Sequence, residues 1–167
     1  RPSMPNIPNS NGTVVLSEDQ TIFWLILKNF KVREAWGDPS KMNHLLLYLM
    51  DGFRSSLPNG CWIKVHCGYK EGGHTKNSFH YKGKAIDFHV VGISALEAEA
   101  CLMHYLSQSK VIDGVEYQLL NYVGLGLYPE WANPGFHLDV RGKRASWARV
   151  GGAYVSYDLG LKQLGFL

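Results

Sequence analysis

The sequence predicts an α+β domain, an antiparallel sheet packed against helices. Three observations predict it. Capping residues stand directly ahead of apolar runs at helical spacing in the first third of the chain. Alternating apolar and polar residues dominate the middle. Of the 167 residues, 46% are hydrophobic and 19% charged, a balance that supports a buried core and excludes a disordered chain.

Residues 1–16, which begin RPSMPNIPNSNG, are polar and proline-rich and read as an N-terminal arm. Residues 17–167 then read as one domain, a length that fits a single core. Ser17 and Gln20 have capping-box spacing, and Ile22, Phe23, Ile26 and Leu27 follow at helical spacing, so a first helix is expected there. Asp38 and Pro39 predict the start of a second helix, with Asp as cap and Pro at the first position. Its apolar face is Met42, Leu45, Leu46, Leu49, Met50 and Phe53, and LPNG at 57–60 ends it. CWIKVHC at 61–67 alternates as a strand does, and a loop containing EGGHTKN follows. Ser94 and Glu97 repeat the capping-box spacing ahead of a helix near 95–108. Residues 115–123 and 135–141 read as strands, with GLGLYPEWANPG as an irregular loop between them. The tail from 146 has no decisive periodicity.

Composition also limits function. The net charge is +3, and the basic residues are scattered apart from Arg141, Lys143, Arg144 and Arg149. A dedicated nucleic-acid binder carries a basic stripe, so this pattern argues against one. The longest apolar run, TIFWLILKNF, is too short to cross a bilayer, so no membrane span is expected. No signal-peptide layout is visible at the N-terminus. Cys61, Cys67 and Cys101 lack zinc-finger spacing and read as small buried apolar groups.

The chemistry-bearing residues fall on two predicted strands. In KAIDFHV (84–90), Ala85, Asp87 and His89 share one face, while Ile86, Phe88 and Val90 share the other. The second face is core. The first is unusual, because strand interiors avoid aspartate. Ala85 leaves room beside it, and Gly83 permits a turn that folds His80 back toward Asp87. In GFHLDV (135–140), Phe136, Leu138 and Val140 face the core, and His137 and Asp139 face away. If the two strands neighbour each other, imidazoles and carboxylates converge. That is the ligand chemistry of catalytic zinc, with a fourth position left for water. Alternation does not decide which of His80, His89, His137, Asp87 and Asp139 are the ligands.

The motif S-x-H-x-x-G-x-A-x-D is complete in Ser78, His80, Gly83, Ala85 and Asp87, and a strand ending H-x-D follows in His137 and Asp139. With these residues the chain resembles the zinc peptidases of the M15 group, which includes D-alanyl-D-alanine carboxypeptidases and murein endopeptidases. GLGLYP at 124–129 resembles a G-x-G-x-Y-P segment of one branch, whose terminal R..W is loosely matched by Arg144 and Trp147. NFKVREAWG, MNHLLLYLMDGFR and VHCGYK follow the same branch's layout, so the resemblance spans residues 17–147.

The resemblance implies a hedgehog-like or DD-peptidase-like fold, with zinc (Zn2+) held by His80, Asp87 and His137. It implies a metallopeptidase acting on peptidoglycan stem peptides in the cell envelope, periplasmic or extracellular, or as a phage-encoded lysin. A monomer is expected. Ser78 would lie beside the substrate, and His74, six residues before His80, would handle protons. Lys70 stands where relatives often carry an arginine against the substrate carbonyl, and supplies charge without a planar fork. Pro134 stands where many relatives carry the carboxylate base. Asp139 and then Glu130 are the candidates to replace it, although Asp139 also has the position of a partner that orients His137. The alternative is an inactive metal-containing binding module of the same fold.

Overall fold

The computed structural model describes residues 6–9 and 12–166. Its centre is a six-stranded sheet of β3 (Trp62–Cys67), β4 (Ala85–Val91), β7 (Gly124–Tyr128), β8 (Gly135–Asp139), β9 (Ala145–Val150) and β10 (Ala153–Val155). The strand order is β10-β9-β7-β8-β4-β3, and every pairing is antiparallel except β7 with β9. The expected α+β class with a mostly antiparallel sheet is therefore present. Two small hairpins stand apart from this sheet: β1 (Asn6–Asn9) with β2 (Gly12–Val15), and β5 (Ser109–Ile112) with β6 (Val115–Gln118). The first lies within residues 1–16. Residues 1–5, 10 and 11 of that expected arm lie outside the described residues.

One face of the sheet is the core. Ile63, Val65, Ile86, Phe88, Phe136 and Leu138 project from it and are at most 3% exposed. Helices α2 (His44–Ser56) and α3 (Ala95–Leu106) pack on each other and on that face at β4, with Phe53 against Phe88 at 6.3 Å between ring centroids. At the other end α5 (Tyr157–Gln163) packs on β9 and β7, and Gly160 lies against Ala148 and Leu127. The opposite face carries Asp87, His137 and Asp139.

The helix starts differ from expectation in instructive ways. Ser17 and Gln20 form the full reciprocal capping box ahead of α1 (Glu18–Ile26). Of the expected stripe, however, Ile22 and Ile26 are 53% and 55% exposed. Phe23 and Leu27 of that stripe are buried, and Trp24 turns inward with them, Phe23 onto Tyr48 and Trp24 onto Trp36, because aromatic rings bury more area in a short helix. Asp38 and Pro39 cap only a three-residue 3-10 turn, Pro39–Lys41. The α2 helix begins at His44, where the Asn43 side chain accepts from Leu46 N.

Two strand expectations need correction. Residues 119–122 are a short helix, α4 (Leu119–Tyr122), and GLGLY is strand β7 rather than loop. Neighbours on both sides supply the ladder bonds that its glycines could not have secured alone. The tail resolves into the β9–β10 hairpin followed by α5.

Candidate metal centre

Strand register builds the site. Asp87 pairs with His137, His137 with Gly126, and Gly126 with Trp147, which makes one row across β4, β8, β7 and β9. The next row on the same face is Ala85, Asp139, Gly124 and Ala145. The predicted meeting of the two polar strands is thus a direct antiparallel pairing.

His80 reaches this row from a one-turn 3-10 helix, Phe79–Lys82. Ser78 caps the turn, its Oγ accepting from His80 N at 3.2 Å. Gly83 ends it with φ +67°, and a Cβ there would stand 1.8 Å from Lys41 O. Only glycine allows both the left-handed backbone and that approach. The chain then reverses directly into β4.

Asp87 Oδ1 lies 3.1 Å from His80 Nε2 and 3.0 Å from His137 Nδ1. Partner chemistry assigns the tautomers. His80 Nδ1 is 2.7 Å from Gly68 O, a pure acceptor, so Nδ1 carries the proton. His137 Nε2 is 2.7 Å from Asp139 Oδ2, so it donates there. With each imidazole neutral, its remaining nitrogen turns a lone pair toward Asp87 Oδ1. Three acceptors at hydrogen-bond distance repel unless a cation, or two further protons, sits among them.

The metal-free electrostatics express the same demand. Burial pushes His80 down, yet its hydrogen bonds to Asp87 and Cys67 outweigh it and raise its pKa to about 10. Burial likewise disfavours charged His137, but its bonds to Asp139 and Asp87 win and its pKa is raised. Asp87 is pulled below the usual carboxylate range, its bonds to His137 and His80 overriding burial. Two imidazole nitrogens, one carboxylate oxygen and an open side on a cleft are the donor set of a three-ligand zinc site. The group fits a divalent cation of that class.

A second group, Cys67, His74 and His80, could also hold a metal. Cys67 Sγ is 3.5 Å from His74 Nε2 and 3.6 Å from His80 Nδ1. The Gly68 carbonyl already engages that His80 nitrogen, so the set with Asp87 and His137 is the better site.

The site opens on a cleft of ≈ 1130 Å³. His74, Ser78 and Glu130 line it, whereas Lys70 is exposed and does not. His74 stacks on His80 at 4.2 Å between centroids, and burial together with charged neighbours lowers its pKa. Glu130 accepts from Gly151 N at 2.7 Å, on the cleft rim. His89 turns away from the site to contact His66 of β3.

Asp139 is fully buried and has no free oxygen. Arg141 Nε donates to Oδ1 at 2.8 Å, and its NH2 group donates to Oδ2 at 2.7 Å. Burial would raise Asp139, but these bonds and the one from His137 hold it below the usual carboxylate range. The Arg141 guanidinium is sandwiched between Phe79 at 4.9 Å and Trp147 at 5.1 Å. Arg141 was not singled out from sequence, although a strand position two beyond Asp139 shares its face.

No family model, no curated protein and no solved structure matches the chain.

Proposed function

We propose that this chain is a zinc-dependent peptidase of M15 type, with a hedgehog-like fold, that hydrolyses amide bonds in peptidoglycan stem peptides. One observation carries the reading: His80 Nε2, His137 Nδ1 and Asp87 Oδ1 converge with the opposite nitrogen of each imidazole already committed. The motif residues Ser78, His80, Gly83, Ala85 and Asp87 support the substrate class.

When bound, zinc supplies a Lewis acid for a peptide carbonyl and a water acidic enough to ionise near neutral pH. The chain's own residues do the rest. Asp139 fixes the His137 tautomer and is itself fixed by Arg141, which makes it a positioning residue rather than a base. His74, lying over His80 and free of any carboxylate partner, is the candidate to carry protons between water and the leaving amine. Ser78 keeps its hydroxyl proton for a substrate acceptor while its oxygen caps the turn.

Elemental analysis of the purified protein followed by mass spectrometry of digested cell wall tests the proposal. One zinc per chain and released peptides, both lost in His80→Ala, are expected. Full hydrolysis by His80→Ala would overturn it. A second reading, an inactive metal-containing binding module, is favoured by one observation: Arg141 and His137 engage both oxygens of Asp139, and Glu130 stands outside the metal-ligand group. Zinc present with no peptide released from any wall type would select it.

A further inference from the structure

We infer that Arg149, backed by Tyr154, is an anion-recognition subsite of the cleft and takes a free carboxylate of the substrate. The substrate's identity as a stem peptide rests on the proposed function; the subsite rests on its own geometry.

Two arginines line the cleft, and they are not equivalent. Arg141 spends its fork on Asp139. Arg149 has no carboxylate within ion-pair distance and no side-chain hydrogen bond among the described residues. Its guanidinium lies 4.5 Å from the Tyr154 ring centroid. Face-on packing against a ring holds the plane of the group and leaves its N–H edges open. Half-buried, positively charged and unpaired in a cleft, those donors match a planar carboxylate.

The subsite is held rather than floppy. Tyr154 is the direct cross-strand partner of Arg149 in the β9–β10 hairpin. Gly151 in its turn donates to Glu130, tying the hairpin to the 129–134 loop. A group ordered before binding loses less freedom on binding.

Its position relative to the metal set is also informative. Arg149 stands two residues beyond Trp147 on the same face of β9, and Trp147 belongs to the His137 row. Two strand steps and two residues along the strand separate the Cα atoms of His137 and Arg149 by roughly 12 Å. The arginine side chain together with roughly one or two residues of extended peptide bridges that distance. The carboxylate is therefore close to the bond that would be cut. A terminal α-carboxylate and a branch carboxylate are the two sources of this chemistry in a stem peptide.

Calorimetric titration of the zinc-loaded protein separates them. The probes are a stem pentapeptide ending in D-Ala-D-Ala, its C-terminal carboxamide, and the same peptide with its internal carboxylates amidated. Amidating the recognised carboxylate is expected to weaken binding about 10- to 100-fold, the loss of a charge-assisted contact. Which amide binds weakly identifies the source. Arg149→Gln should bind acid and amide alike, and Arg149→Lys should keep a reduced preference.

If wild type shows no acid preference or binds none of the probes, the inference falls. It also falls if Arg149→Gln retains the wild-type preference, or if both variants weaken acid and amide equally. Arg149-dependent preference without any hydrolysis leaves the subsite standing and sinks the peptidase reading. Hydrolysis without acid preference does the reverse.

Discussion

Asp139 Oδ2 lies 2.7 Å from His137 Nε2, on the far side of the imidazole from Asp87. The ring is thereby held between two carboxylates with separate tasks, one facing the metal set and one fixing the tautomer. A carboxylate in the second position raises the basicity of the liganding nitrogen and fixes its aim.

Asp139→Asn tests that division. The amide keeps the shape but weakens both the hold on His137 and the pairing with Arg141. Zinc affinity, read by competition with a chromogenic chelator, should fall about 10- to 100-fold. If Asp139 were the base instead, zinc affinity would hold while turnover vanished.

Arg141→Met leaves Asp139 buried without its cation. Removing one partner of a buried pair costs about 3–5 kcal/mol, because the remaining charge is uncompensated. Chemical denaturation of the metal-free protein should show a loss of that order. Arg141→Met with wild-type stability would mean that the Phe79–Arg141–Trp147 stack is ornamental.

The metal-free protein and the zinc-loaded protein should respond oppositely to pH. His80 is raised from 6.5 to about 10, so its contribution is complete below 6.5 and is lost as pH rises through about 10. Asp87 is lowered from 3.8, so its contribution is present above 3.8 and is lost as pH falls through its depressed value. These groups thus favour the metal-free fold most between 3.8 and 6.5. Zinc needs both imidazoles deprotonated, so its stabilising increment should grow as pH rises. Thermal melts with and without zinc from acidic to mildly alkaline pH measure the increment. A pH-independent increment would remove His80 and His137 from the ligand set.

Much of this site is legible in the chain because strand alternation is a local rule. Asp87 and His89 on one face, and His137 and Asp139 on one face, follow from period two. Their division of labour is not local. His89 and Asp87 share a face, yet only Asp87 pairs with His137, because register is set by the whole β4–β8 ladder. Glycine is depleted from strands, so GLGLY carries no strand signal of its own. Its glycines make sense only once Arg141 and Trp147 lie over them, which no local pattern announces. Cys67 likewise read as a plain buried residue; its nearness to His74 and His80 depends on the fold of the 68–77 loop.

Gly124→Ala tests the close approach of Arg141 to β7. A Cβ at Gly124 would stand 2.4 Å from Arg141 Nε and 2.7 Å from its NH2 nitrogen. The backbone there is strand, so alanine is conformationally acceptable and the contact alone decides the outcome. The guanidinium cannot swing freely aside, because Phe79 and Trp147 flank it and Asp139 holds two of its nitrogens. The added methyl must therefore loosen the Arg141–Asp139 fork, and with it the aim of His137. Overpacking of this kind costs about 1–3 kcal/mol. Zinc affinity should fall in the same direction as in Asp139→Asn, although neither ligand nor carboxylate has been changed. Combining the two substitutions should cost less than the sum of the single effects, since both act through one chain of contacts. Full additivity in chelator competition would show that Gly124 and Asp139 act on zinc independently.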